Sequence, residues 1–487
     1  MSIIIVVDNP KKWQFNIPGI DVVSAKSYLT TQNFIDAKDL RVFNLCKSYK
    51  YQRMGYYVSL IAVARGHKAI PNVRTIQNMK SQAVIKIITD DLNQSIQKSL
   101  NHLHTNNFTL SIYFGKNIAA MYDKLSIQLF NLFQAPLLRA YFVKNNDEWQ
   151  LQNISPIPAS EIPHEHKVFV EKLAATYFST RNFSVPQRSN NPYDMAILIN
   201  KEEKDPPSNE KALLKFQKAA EKLGFNVDFI TKDDYNKIGE YDALFIRETT
   251  RVNHHTFRFA QRAYEEGLVV IDDPISILRC SNKVYLAELL SHHSISTPKT
   301  VIIHHDNIDQ AIDEIGFPCI LKQPDSAFSR GVVKVTSKEE YNVELNKLFE
   351  TSDLIIAQEF MPTEFDWRVG IIDNEPIFVC KYYMAKSHWQ IYNWEKEDCS
   401  KCGKTETMIP EQAPRSVISI ALKTANLIGD GFYGVDLKQI GNKCYIIEIN
   451  DNPSVDFGLE DSIIKDTLYK KIMEVFYKRV QQKKARV

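Results

Sequence analysis

Three stretches of the chain hold residues whose types and spacing could do phosphate chemistry. The first is Gly434-Val-Asp-Leu, then a turn near Gly441-Asn442, then Ile446-Ile-Glu-Ile-Asn450. Glu448 and Asn450 are two apart on a β-rich run, so they project from one face. Asp436 lies on the partner run. A three-residue turn, 441 to 443, makes Asp436 and Glu448 direct partners on one side. A two-residue turn pairs Asp436 with Ile447 and puts Glu448 on the opposite face. On one face, two carboxylates and an amide oxygen form a hard all-oxygen cluster, suited to Mg²⁺ held together with substrate phosphates. An edge hairpin with a solvated polar face has the same pattern.

The second stretch is Ile320-Leu-Lys322-Gln-Pro-Asp-Ser-Ala-Phe-Ser-Arg-Gly-Val332. A lysine ends an apolar strand and a small-residue loop follows, with Ser329 and Gly331. Such a loop offers backbone N–H groups to phosphate oxygens, and the lysine adds a point charge. The spacing is neither GxxxxGK[ST] nor GxGxxG. The third stretch is Ile355-Ile-Ala-Gln358-Glu359-Phe360-Met361-Pro362, then Glu364-Phe-Asp366-Trp-Arg368. A strand that stops at a proline leaves backbone groups free to read a purine edge. Arg368 could grip a phosphate or carboxylate with two hydrogen bonds, or pair with Asp366 on the surface.

These residues need elements to position them. Up to about Pro186 the pattern is α+β: strands at 3–7, 21–23 and 110–114, helices at 56–64, 117–133 and 164–178, and paired strands at 137–143 and 149–154. Arg188-Ser-Asn-Asn-Pro192 reads as a linker. Strands at 195–199, 227–230, 243–247 and 268–271 then alternate with helices at 209–223 and 255–266, which predicts a small parallel α/β domain. Beyond it, Ser281 is expected to cap a helix from Asn282. Strands follow at 300–303, 319–322, 355–360, 367–372, 377–383, 433–439 and 444–449, with helices at 308–315, 338–349, 414–428 and 461–478. The expected fold class is α/β and α+β multidomain. The expected domains are 1–186, 193–277 and 278–487.

Composition removes several alternatives. The 487 residues carry 60 basic and 58 acidic side chains and are 44% hydrophobic, which excludes a wholly disordered chain. The apolar run Ile3–Val7 is far shorter than the ~18 residues of a membrane span. It lacks the flanks of a signal peptide, so no membrane association is expected. Seven cysteines make no dense disulfide framework, and a cytoplasmic, reducing setting is the expectation. The balance of +2 is uneven. Residues 41–89 hold nine basic side chains and no acid, so the remainder carries 51 basic against 58 acidic. A local anion-attracting face is expected there.

Taken in order, the three motifs resemble the ATP-grasp fold, specifically its RimK-like carboxylate–amine ligases, over about Ser281 to Val480. Residues 193–275 resemble the α/β domain that precedes an ATP-grasp unit. The stretches Tyr51-Gln-Arg-Met-Gly-Tyr-Tyr-Val-Ser-Leu and Ala64-Arg-Gly-His resemble the N-terminal domain of a subset of these proteins. The resemblance implies ATP and Mg²⁺ (or Mn²⁺). Lys283 and Lys322 match the two ATP-phosphate lysines. Gln358, Glu359, Phe360 and Met361 match the adenine hinge, and Asp366 a ribose contact. Asp436, Glu448 and Asn450 match the metal ligands. Arg368 and Lys381 match positions near the transferred phosphoryl group or acyl intermediate. Residues 386–408 depart from the arginine-and-glycine loop of the amino-acid-adding enzymes, which leaves the substrates open.

Other features carry less. Cys399-Ser-Lys-Cys402 has no second CxxC to complete a zinc site, though His388 or Cys380 could contribute. Arg247 and Arg251 follow a strand of the parallel sheet and are candidate substrate contacts, or an Arg247–Glu248 surface network. His254 and His255 read as capping or surface residues. The basic window with Tyr49, Tyr51, Tyr56 and Tyr57 has the composition of a nucleic-acid surface, but a buried helix with exposed tyrosine tips accounts for it better. The expected activity is amide or peptide bond formation through an acyl phosphate, releasing ADP and phosphate. The carboxylate and amine are small molecules, with an amino acid or an acidic peptide or protein tail among the candidates. A homo-oligomer is left open. The alternatives are a small-molecule kinase of the same fold and an ATP-regulated docking protein.

Overall fold

In the computed structural model, two compact units divide the chain, Met1–Ser189 and Asn190–Lys484. The structure describes all residues except 1, 14, 16, 18, 38–39, 181–190, 326–330, 386–387, 392–402 and 486–487. No helix among the described residues is long and apolar enough to cross a membrane.

The first unit holds a parallel sheet in the order Asp21–Ser24, Ser2–Val7, Leu40–Asn44, Lys68–Ile70. Its second sheet is antiparallel: Asn107–Tyr113, Leu137–Asn145, Glu148–Pro156. The strand Leu40–Asn44 and the helices Val73–Asn78 and Gln82–Leu100 have no counterpart in the sequence reading. The helix expected over 117–133 is shorter, Asp123–Phe133, preceded by a 3₁₀ turn. The tyrosines of the basic window divide. Tyr49 is buried, with its hydroxyl donating to Asn44 O, while Tyr51 and Tyr57 are exposed. Arg41 is buried and Arg65 donates to the Tyr28 and Leu29 carbonyls. Lys47, Lys50 and Arg53 remain exposed.

The second unit begins with the parallel sheet Val269–Ile271, Ala243–Ile246, Tyr193–Leu198, Phe225–Ile230. Its central strands are short apolar runs (MAIL, ALFI) buried on both faces, as a sheet covered on both sides requires. Asn209 caps the helix Glu210–Lys222 by accepting from Ala212 N–H. Residues of this sheet, of the helix Glu210–Lys222 and of the final helix Asp466–Ala485, Phe216, Phe245, Tyr469 and Phe476 among them, share one core. Residues 193–277 and 278–484 thus lie within a single unit.

Two antiparallel sheets follow. One runs Thr300–Ile303, Ile355–Glu359, Cys319–Lys322, Val332–Val335. The other runs Thr405–Met408, Glu375–Tyr383, Phe365–Ile372, Phe432–Ile440, Lys443–Asp451. The helix between the parallel sheet and these strands is Lys283–His292, and its cap is Asn282, not Ser281. Asn282 Oδ1 accepts from the Val284 and Tyr285 N–H groups. Ser281 closes the preceding helix Pro274–Ser281, and its hydroxyl donates to Ile277 O. The cap sits one residue later because two short helices abut there.

Candidate functional site

The hairpin Phe432–Ile440/Lys443–Asp451 has a two-residue turn, with Ile440 opposite Lys443. By simple counting, this puts Glu448 on the wrong face. Instead the register slips between Asp436 and Leu437. Leu437 pairs with Ile446, Asp436 pairs with Glu448, and Ile447 is the extra residue of a β-bulge. The bulge returns Glu448 to the face of Asp436 with a short turn, an arrangement outside both sequence alternatives.

Strand order then brings the cations in. Arg368 is the direct partner of Asp436 on the adjoining strand. Its Nε and Nη2 donate to Asp436 Oδ1 and Oδ2 at 2.6 and 2.5 Å, a two-pronged grip. Asn450 Nδ2 donates to Asp436 Oδ2 at 3.1 Å. Lys283, at the first turn of its helix, places Nζ 3.0 Å from Glu448 Oε1. Lys322 Nζ donates to Gln358 Oε1 at 2.7 Å, and Gln358 Nε2 donates to Thr300 Oγ1. Both lysines are about nine-tenths buried. Burial and the neighbouring Lys283 pull Lys322 down to about 8, against the pull of Glu448. Burial opposes the charge of Glu448, but Lys283 and Lys322 outweigh it and hold the carboxyl below its usual range. Burial pushes Asp436 up despite Arg368. The cluster therefore contains cations confined beside carboxylates and largely shielded from water, which strengthens their interaction with an incoming anion.

A cavity opens beside this cluster between the two antiparallel sheets. Lys322, Gln358, Glu359, Phe360 and Met361 line it from one sheet and its edge; Asp366, Lys438 and Glu448 line it from the other. Lys283 also lines it. The aromatic ring of Phe360 lies under Lys334 Nζ at 3.8 Å and meets Trp389 edge-on at 6.1 Å. Glu359 faces the strand neighbour Lys299, whose N–H donates to Glu359 Oε2 at 3.4 Å. Asp366 Oδ1 accepts from Lys438 Nζ at 2.5 Å and Thr363 Oγ1 at 3.1 Å. Gly331 has a left-handed φ of 70° and its carbonyl accepts from Gln323 N–H, which closes the base of the loop. Ser329, Cys399 and Cys402 lie outside the described residues.

Lys381 is not brought to the cluster. It pairs with Trp367, whereas Arg368 and Asp436 pair with each other, so alternation sends Lys381 to the opposite face. There its Nζ lies 3.6 Å from Glu406 and over the Phe365 and Trp367 rings. Arg247 is neither a substrate contact nor a surface group. It is 1% exposed and donates to Ser208 Oγ, Asn452 Oδ1 and the carbonyls of Pro207 and Pro453, stapling two loops of this unit. Cys380 is buried against Thr407, and His388 contacts Gln390. Sequence reasoning missed Lys438, Ile447 and Trp389 as cavity residues. Lys438 lies on the strand of Asp436, two residues along, and this same-face spacing could have flagged it.

The site, cradled between two antiparallel sheets, defines an ATP-grasp protein. Residues 25–173 match the RimK-like ATP-grasp N-terminal domain, and residues 280–475 match the RimK-like ATP-grasp domain. The chain therefore carries both RimK-like ATP-grasp domains. It is 25% identical over 255 residues to the alpha-aminoadipate–LysW ligase LysX of Sulfolobus acidocaldarius, covering 48% of this chain and 86% of the relative. It is 27% identical over 264 residues to the tetrahydromethanopterin:alpha-L-glutamate ligase of Methanocaldococcus jannaschii, covering 52% of this chain and 86% of the relative. Both relatives are named as ligases.

Proposed function

We propose that this protein activates a small-molecule carboxylate with ATP and joins it to an α-amino acid or to a peptide amine. The observation that carries the reading is the meeting of Lys283, Lys322 and Glu448 at one wall of the inter-sheet cavity, with Asp436, gripped by Arg368, as the direct strand partner of Glu448. In this reading Gln358 to Met361 hold the adenine and Asp366, steadied by Lys438, holds the ribose. Lys283 and Lys322 hold phosphate oxygens. The substrate carboxylate attacks the γ-phosphorus, the bond to the β-phosphate oxygen breaks, and ADP leaves. The amine, having lost its proton, then attacks the acyl carbon, and orthophosphate departs. Arg368 faces the charge that develops in both steps. No side chain forms a covalent bond, so confinement and charge carry the rate.

Asp436, Glu448 and the amide oxygen of Asn450 form an all-oxygen donor set on one face, and this chemistry fits Mg²⁺ or Mn²⁺. That amide oxygen accepts no hydrogen bond among the described residues, since only Nδ2 is engaged. When bound, the ion neutralises phosphate charge. Arg368 and Lys283 hold the carboxylates in position meanwhile. The two relatives are named for acidic α-amino acids, so glutamate and α-aminoadipate are the first candidate substrates. We assign residues 1–186 to an N-terminal domain, 193–277 to the α/β domain and 278–487 to the ATP-grasp domain. The test is a screen of carboxylate and amine pairs for ADP and orthophosphate, with mass spectrometry of the product. Orthophosphate must appear in proportion to the amine. A phosphorylated product that accumulates without amine incorporation would instead make the protein a kinase.

A further inference from the structure

Away from this site, the parallel sheet of the second unit carries a second cluster. Tyr193–Leu198 lies between Phe225–Ile230 and Ala243–Ile246, so the chain leaves it to opposite sides. The crevice beyond the carboxyl ends of such strands is where open parallel sheets take ligands. Here it has a volume of about 300 Å³, and Glu203, Glu248, Thr249 and His254 are among its lining residues. Glu248 follows the strand Ala243–Ile246, and its side chain is 2% exposed. Among the described residues, neither of its carboxylate oxygens accepts a hydrogen bond of ordinary geometry. The group closest to it is His255 Nε2, 2.7 Å from Oε1, which is also without a properly directed hydrogen bond.

His254 and His255 start the helix His255–Glu265, and their ring centroids are 3.9 Å apart. The ligand-capable atoms of Glu248, His254 and His255 all lie within 4.8 Å of one another. His254 Nδ1 lies 3.0 Å from Thr256 Oγ1. A proton on Nδ1 donated to that hydroxyl leaves the Nε2 lone pair free, the usual support for a metal-binding imidazole. A buried carboxylate with no aligned donor is costly and a cation relieves it.

We propose that Glu248, His254 and His255 bind a divalent transition metal, of the zinc and cobalt class, at a site separate from the all-oxygen cluster. Two imidazoles and one carboxylate suit that class and not Mg²⁺. Ligand bonds of about 2.0–2.2 Å in a tetrahedral site need only a small opening of the Glu248–His255 contact, and Glu248 and His254 both line the crevice. The site would brace the second unit internally. Asn452 Nδ2 donates to Glu248 O and Thr250 Oγ1 donates to Asp451 Oδ2, which ties this loop to the strand that carries Asn450.

The experiment uses the full chain carrying C399S and C402S, stripped with chelator and kept in millimolar Mg²⁺. Zn²⁺ is measured by equilibrium dialysis and Co²⁺ by its visible spectrum. One equivalent should bind, and E248Q, H254Q and H255Q should each weaken it at least tenfold. The Co²⁺ form should show two paramagnetically shifted, exchangeable imidazole protons, a readout that needs no further variant. Absence of binding in the C399S/C402S chain, binding unchanged by the three substitutions, or fewer than two shifted imidazole signals would overturn the site.

Discussion

The hairpin Leu137–Asn145/Glu148–Pro156 of the first unit and the hairpin Phe432–Ile440/Lys443–Asp451 of the second are built alike. Each has two nine-residue antiparallel strands, a two-residue turn and one bulge. In the first, Phe142, Trp149, Leu151 and Ile154 turn inward and make core. In the second, Asp436, Glu448 and Asn450 share the face that meets Arg368 and Lys283. The bulge does the same geometric work in both: it resets the alternation so that the right side chains meet on one face. What separates scaffold from site is the charge placed on that face.

The largest effects should separate the two hairpins by kind. Asp436→Asn or Glu448→Gln should lower ATP-dependent turnover by about 100-fold or more, the scale of losing a charged group from a transition state. The thermal transition should move little. If turnover is unchanged, the catalytic reading of the second hairpin is wrong. Trp149→Ala in the first hairpin should do the reverse. It empties a fully buried position and should cost about 3–5 kcal/mol of stability. Denaturant unfolding of the first unit measures that loss. In the residual folded fraction, the ADP-forming rate per active site should be normal.

The two bulges also show how much was readable beforehand. In the first hairpin, Trp149 and Leu151 alternate with polar residues, then Gln152 and Asn153 come together before Ile154. Two polar residues in a row mark the slip, and Gln152 is the extra residue. In the second, the extra residue is Ile447, set between Ile446 and Glu448. An apolar residue hides the break, because Ile447 lines the cavity. The strand–helix alternation over 193–271 was legible to within two residues, because caps and apolar runs agree there. The helix Gln82–Leu100 was not, although Ile85, Ile88, Leu92 and Ile96 recur at helical spacing. The linear pieces of the site could be read in order. Which face Lys381 takes depends on the pairing of three strands, and no single run of sequence contains that.

A smaller effect tests the electrostatics of the second hairpin. Lys322, drawn down to about 8 by burial, carries its charge below that pH and loses it above. In the proposed reading, its contribution to holding phosphate is therefore nearly full at pH 7 and fades as pH rises through 8. For ATP, kcat/KM, which reports the free enzyme, should fall above pH 8 by up to about tenfold per unit. Lys322→Arg stays charged throughout and should remove this bend. A bend that persists in that variant belongs to another group.

The smallest effect concerns the cationic window of the first unit. Lys47, Lys50 and Arg53 are exposed, while Arg41 is buried and Arg65 is spent on backbone carbonyls. The free charge is thus narrower than the nine basic residues suggest. Exposed cations act on an anionic substrate through the field they cast, and salt limits its reach to roughly 10 Å at 0.1 M and 3 Å at 1 M. Reversing Lys47, Lys50 and Arg53 to Glu should then raise KM for an acidic substrate by about two- to fivefold at low salt, an effect of steering size. At 1 M salt the variant and the parent should agree, and kcat should be equal at both. An unchanged KM at low salt would detach the basic window from substrate capture. A lowered kcat would mean instead that the first unit influences the chemical step, which an exposed charge acting at a distance does not.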